Sequence, residues 1–328
     1  MKNTIVLNVL AYLIGHFYFK ITNKTLPFAF SSFTKLYWLT NGRINNFFTN
    51  LFYIKKSSKL ILNERTIKIN SSNLIIKNNS LDVLNKDGYV RLLDKLSNNE
   101  LNNLIKFSYE NLTNQNNYFK IGIPYTSKKY SYYESDLINN STIQSLIIKE
   151  SILSLAFGYL KTTPILMSVS MWWLTDFKGE ESEDAGLNYH FDYDSPKWIK
   201  FFIYLTDVNE FNAPHCYIKK SHKQKPPELL KKGYARIQDS EMHEFYHKDD
   251  FITVKGKKGT ILAGDTLCWH KGKQIIKGER LILVLKFSSS LFGLKYNKQF
   301  ISNPTKEFKH FYNLNKNIFK KYKIEKTH

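Results

Sequence analysis

Cysteine is nearly absent: the 328-residue chain has two, Cys216 and Cys268. Two thiols cannot build a disulfide scaffold or an all-thiolate zinc or iron–sulfur site, and a reducing, cytoplasmic setting is the expected home. Arginine is scarce too. Only five of the 48 basic residues are arginine, at positions 43, 65, 91, 236 and 280. A nucleic-acid reader is expected to use more of them, because the planar guanidinium pairs with phosphate and guanine edges. A nucleic-acid partner is therefore disfavoured despite a formal net charge of +20. Acidic residues are missing altogether before Glu64. No apolar run reaches the ~20 residues of a bilayer-spanning helix. The nearest, Ile5–Phe19, is interrupted by Asn8, Gly15 and His16, and no small-x-small cleavage signature follows it.

What is present argues for a folded, globular chain. The apolar fraction is 42% and the aromatic fraction 15%, too rich for a disordered protein. The charge is unevenly spread. Residues 1–63 carry seven lysines and Arg43 with no acid; residues 295–328 carry nine lysines against Glu307 and Glu325; the middle is nearly balanced. The division predicts a basic, aromatic extension over 1–63, a domain over 64–294 and a basic tail over 295–328. Aromatics between cations with no acids suit a segment lying on an anionic membrane surface as a peripheral contact. The competing reading is a helical extension packed on the domain.

The central pattern is mainly β. Asp87-Gly88 reads as a turn between a helix end and a short strand, and Ser97 with Glu100 reads as a capping box opening a helix. Residues 113–145 read as polar, Tyr-rich loops, and Ser151–Leu160 as a short helix. From Pro164 onward, strands are expected over 165–175, 198–206, 216–218, 251–254, 260–263, 265–269 and 281–288. Several short strands with Gly, Pro and Asn turns point to a β-sandwich or barrel.

Among nine histidines, His190 and Asp192 form an H-x-D pair that an extended segment places on one face. His270 follows in another expected strand. Two imidazoles and one carboxylate on one side of a cation leave three positions open, the ligand set of non-haem Fe(II) oxygenases. Ten residues beyond His270 stands Arg280. If 271–278 turns the chain back as the next antiparallel strand, its guanidinium enters the same cavity and can grip a ligand carboxylate with two parallel hydrogen bonds.

These elements, with Lys200–Val208, Ala213-Pro214, Ser221-His222 and Gly259-Thr260, resemble the phytanoyl-CoA dioxygenase family over about residues 80–290. The resemblance implies a double-stranded β-helix core (a cupin-like jelly roll) with flanking helices. It implies Fe(II) held by His190, Asp192 and His270, with Arg280 binding the far carboxylate of 2-oxoglutarate. O2 and 2-oxoglutarate would be cosubstrates for hydroxylating a C–H bond of a small-molecule or lipid-like substrate, releasing succinate and CO2. The intact carboxylate ligand disfavours halogenase chemistry. The chain departs from the family at Ala213 and Lys220, where glycines are usual, which touches substrate contacts rather than the ligand triad. The alternative is a non-catalytic binding module on the same fold, docking at an anionic membrane or nucleic acid.

Other residues have simpler readings. His215 and His222 are expected in a loop, His222 as a turn-stabilising side chain. Cys268 reads as a small buried space filler, Trp172 and Trp173 as core, and Thr260 and Thr266 as ordinary strand residues. Glu180, Glu181, Glu183 and Asp184 read as a solvated loop over the site.

Overall fold

The computed structural model describes residues 2–325 except 56, 69–78, 112–128, 177–187 and 234–235. The acidic run at 180–184 and residues 113–128 of the Tyr-rich stretch fall outside the described residues. Three helices open the chain: α1 Lys2–Thr22, α2 Pro27–Thr40 and α3 Arg43–Phe52. A hairpin follows (β1 Lys59–Leu62, β2 Arg65–Lys68), then α4 Ser80–Asp87, β3 Tyr89–Lys95 and α5 Asn98–Asn111. Next come β4 Lys129–Ser131, α6 Glu134–Ile138, α7 Ser141–Ile147, α8 Glu150–Leu160, β5 Ile165–Thr175, β6 Trp198–Tyr204 and β7 His215–Ile218. The chain continues through α9 Pro227–Lys231, α10 Asp239–Phe245, β8 Phe251–Val254, β9 Thr260–Gly264, β10 His270–Gly272 and β11 Glu279–Ser288. It ends with β12 Gln299–Ile301, α11 Lys306–Leu314 and β13 Tyr322–Ile324.

Two antiparallel sheets make the core. The larger has strand order β3-β9-β6-β11-β5-β4 and the smaller β10-β7-β8. Alternation along the strands decides which side chains go where. On β6, Ile199, Phe201 and Ile203 join a cluster with Leu153 and Phe157 of α8 and Leu104 of α5. The intervening Phe202 and Tyr204 pack inward with Leu262 of β9, Ile282 of β11, and Tyr217 and Val254 of the smaller sheet. That arrangement is a jelly roll with helices on one face.

The capping box forms: Ser97 N donates to Glu100 Oε2 at 2.7 Å, and Glu100 N donates to Ser97 Oγ at 3.3 Å. Gly88 has φ +84°, and a Cβ there would stand 2.2 Å from Cys268 Sγ, so the turn needs glycine. The strand expected over 265–269 is instead a turn. Asp265 accepts from the Leu267 amide at 2.9 Å through its carboxylate and from the Cys268 amide at 3.0 Å through its carbonyl, and the strand starts only at His270. The described part of the loop expected over 113–145 is ordered as β4, α6 and α7. Asn140 caps α7 by accepting from the Ile143 amide at 3.1 Å.

Both basic ends bury side chains in the same clusters as the central residues. Tyr12, Phe33, Tyr37 and Phe48 share a cluster with Phe191, Tyr193, Trp198, Trp269 and Phe292, and Phe308 and Phe319 enter the cluster on the helix side of the large sheet. α1 crosses α2 closely at Gly15, where a Cβ would lie 2.0 Å from that of Ala29. One buried lysine ties this layer to the core. Lys225 donates to Tyr37 Oη of α2 at 3.1 Å, to the Ser221 carbonyl at 2.7 Å and to the Leu267 carbonyl at 2.6 Å. Its ammonium also lies over the rings of Phe191 and Trp269, and burial pushes its pKa down to about 7.

Candidate metal centre

His190 and His270 meet because their backbones pair. His190 N donates to the His270 carbonyl at 3.0 Å, and His270 N donates to the His190 carbonyl at 2.8 Å. Two residues on, Asp192 N donates to the Thr266 carbonyl at 2.8 Å, so the H-x-D segment lies along the 265–270 turn and strand. The ring centroids are 4.4 Å apart, and His270 Nε2 is 3.6 Å from Asp192 Oδ2. One ligand atom from each of the three residues lies within 4.8 Å of the others. His190 Nδ1 is 3.0 Å from the Asn188 carbonyl, and His270 Nδ1 is 3.0 Å from the Cys268 carbonyl. A carbonyl accepts only, so each Nδ1 carries the proton and each Nε2 presents its lone pair. Two neutral imidazoles and a carboxylate so arranged fit a divalent first-row metal ion with coordination positions to spare.

Electrostatics favour the required protonation states. Burial lowers the pKa of both rings, His270's to about 4, so they stay neutral at physiological pH. Burial opposes ionisation of Asp192, but Lys200 and the two histidines outweigh it and hold the carboxyl well below the ordinary carboxylate range. Lys200 Nζ is 2.5 Å from Asp192 Oδ2 and 3.3 Å from Asp194 Oδ2, while Lys286 Nζ is 2.8 Å from Asp194 Oδ2. The lysines are register partners on β6 and β11, so two cations and two carboxylates form one balanced row beside the histidines.

Arg280 lies on β11, opposite Leu174 of β5, and is buried. Nη1 donates to the Ala213 carbonyl, whereas Nε is buried with no partner. No carboxylate pairs with this guanidinium among the described residues, and burial lowers its pKa to about 10. A buried cation with a spare donor is short of an anion, which a ligand carboxylate would supply. His215, at the start of β7, lies near both Arg280 and His270. Burial pushes its pKa well down, reinforced by the charges of Arg280 and His270, and its ring packs 4.4 Å from that of Phe202.

Of the residues singled out in the sequence, His190, Asp192 and His270 come together, and Arg280 enters the same barrel interior. His222 is elsewhere, 3.2 Å from the Asn85 carbonyl and 3.3 Å from Cys268 Sγ at the Gly88 turn. Thr266 accepts from Trp198 Nε1 at 2.8 Å. Trp172 lines the interior beneath Lys129, and Trp173 packs in the helix-side cluster. Sequence reasoning missed Lys200, Lys286 and His215. The first two had a signal, a single lysine in each of two otherwise apolar strand segments, WIKFFIY and LILVLKF. His215 had a weaker one, as it begins β7 two residues before inward-facing Tyr217.

The family model described as phytanoyl-CoA dioxygenase (PhyH) matches residues 84–276, more than half of the chain. No curated protein matches this chain. Among solved structures, EctD from S. alaskensis with bound Fe aligns at TM-score 0.50 with 16% identity, over 72% of this chain and 87% of that one. HygX from Streptomyces hygroscopicus, with nickel and 2-oxoglutarate bound, aligns at TM-score 0.49 with 14% identity, over 71% of this chain and 94% of that one.

Proposed function

Because the chain belongs to the phytanoyl-CoA dioxygenase family, we propose that it is an Fe(II)- and 2-oxoglutarate-dependent hydroxylase of a small-molecule or lipid-like substrate. The observation that carries this reading is the His190–Asp192–His270 cluster with both Nδ1 protons tied to backbone carbonyls. The solved structures that contain iron, or nickel with 2-oxoglutarate, support the same cofactor set. Bound iron would supply O2 activation coupled to decarboxylation: R–H, O2 and 2-oxoglutarate become R–OH, succinate and CO2.

The chain's own residues prepare that chemistry. His190 and His270 offer Nε2 lone pairs, and Lys200 keeps Asp192 ionised and oriented. Arg280 would take the far carboxylate of 2-oxoglutarate with its spare donors. Phe202, Tyr204, Tyr217 and Trp172 line the interior between them and exclude water.

Anaerobic protein loaded with Fe(II) and 2-oxoglutarate should develop a weak metal-to-ligand charge-transfer band in the visible. Arg280→Ala should lose that band while still binding metal in equilibrium dialysis. If the band and 2-oxoglutarate turnover are both absent from the metal-loaded wild type, the reading fails.

A further inference from the structure

The proposed chemistry leaves the lysines at the two chain ends unexplained. Where α1 ends, a cleft of about 620 Å³ is lined by Lys20, Lys55, Lys59 and Lys320. Its other lining groups are mostly hydroxyls and amides, among them Ser57, Thr163 and Ser290, and among the described residues no Asp or Glu lines it. Some lysines elsewhere on the surface pair with carboxylates: Lys255 with Glu210, Lys257 with Asp207, Lys232 with Glu241. Even Lys321 pairs with Glu134, while its neighbour Lys320 lines the cleft. Lys20, Lys55 and Lys320 are close enough to feel one another. Burial, then the charge of Lys55, depresses the pKa of both Lys20 and Lys320. A second groove on the far side of Asn23 repeats the pattern, with Lys24, Lys35, Lys295 and Lys298 around Phe30 and Trp38, again without an acid among the described residues.

The same end of the molecule presents apolar surface. α1 buries Tyr12, Gly15, His16 and Phe19 on its inner side. Leu7, Leu10, Ile14, Phe17 and Ile21, spaced along the opposite side, are 67%, 52%, 62%, 59% and 83% exposed. The helix is long and apolar enough to cross a membrane by length and composition. However, its inner face is bound to α2 and α3, and His16 Nδ1 lies 2.9 Å from Tyr53 Oη. A helix held in this way can lie on a bilayer with its outer stripe immersed. A second copy is a poor occupant, because a two-fold interface would bring the acid-free lysine grooves of both copies together.

We propose that this face docks on an anionic membrane, with the α1 stripe entering the lipid and the cleft of Lys20, Lys55 and Lys320 receiving a phosphate-bearing lipid headgroup. Three spare ammonium groups around hydroxyl donors suit a phosphate monoester, and a lysine near an anionic leaflet contributes about a fivefold gain in partitioning. The proposal does not depend on the oxygenase reading, and its test does not measure turnover.

The full-length protein would be floated with vesicles of phosphatidylcholine alone, with added phosphatidylserine, and with added phosphoinositide. Binding should be strongest with phosphoinositide, intermediate with phosphatidylserine and weakest with phosphatidylcholine, and should weaken as salt rises. The variant K20Q/K55Q/K320Q should lose about a hundredfold in partitioning to the anionic vesicles. L7S/I14S/I21S should lose binding to every vesicle. Metal binding and circular dichroism would show that both variants remain folded. The proposal is overturned if the lysine variant floats like wild type, or if wild type prefers neutral vesicles. It is equally overturned if a duplex oligonucleotide or soluble inositol phosphate binds the cleft while no vesicle floats. Dimerisation abolished by the serine variant, with no vesicle binding, would assign the face to a second copy instead.

Discussion

Two groups of lysines in this molecule live by opposite rules. In the barrel, Lys200 and Lys286 are largely buried and each has a carboxylate within 3 Å, so their charge closes on Asp192 and Asp194. In the cleft, Lys20, Lys55 and Lys320 surround open space with no carboxylate in its lining among the described residues. The paired cations orient a ligand and project little field. The unpaired ones hold potential that an incoming anion must satisfy. Net charge alone does not separate the two cases; the position of the counter-charge does.

Loss of the carboxylate ligand should have the largest effect. Asp192→Asn should reduce metal affinity by more than about a hundredfold in anaerobic equilibrium dialysis, because it removes a ligand and not merely an outer partner. The cleft should retain its vesicle preference in that variant.

Protonation comes next. The folded pKa of His270, about 4, lies below the unfolded value of 6.5. The unfolded chain therefore binds the extra proton first, and metal-free stability falls as pH drops from 6.5 towards 4. The loss from this group should be roughly 3 kcal/mol, read from urea melts across pH. His270→Asn should flatten that dependence; an unchanged slope would count against a neutral, buried ring.

Lys200→Met should destabilise the metal-free protein by about 2 kcal/mol, since it strips a cation from two partly buried carboxylates. Added Ni(II) should recover more stability in this variant than in wild type, because the metal replaces part of the missing charge. By contrast, Lys20→Gln should alter folding stability by no more than about 0.5 kcal/mol, with a stabilising sign as repulsion relaxes. A large destabilisation there would show that the cleft lysines are tied within the fold after all.

The ligand triad was legible because its information is local. H-x-D on an extended segment fixes two side chains on one face, and His270 with Arg280 needs only one return of the chain. The main strands were legible for the same reason, through alternation in segments such as Ile165–Thr175. What stayed hidden depends on pairing between distant segments. Lys200 becomes a site residue only because β6 pairs with β11 in a register that sets it beside Lys286 and under Asp192. His215 read as a loop residue, since nothing local says that its strand pairs with the one beginning at His270. Over 265–269, alternation suggested a strand, but the Asp265 side chain competed for the backbone and made a turn. The 15-residue apolar run at the start understated a helix that spans Lys2–Thr22, because polar residues at its ends continue the hydrogen-bonded backbone.

Lys225 makes the first three helices and the metal ligands parts of one mechanical linkage. Its ammonium grips Tyr37 on one side, while on the other it bears on Phe191, set between two ligands, and Trp269, which precedes the third. Tension on α2 would therefore reach all three ligands through one joint. Removing residues 1–63 would leave that joint loose, so the truncated chain should hold metal less firmly as well as fail to find a surface.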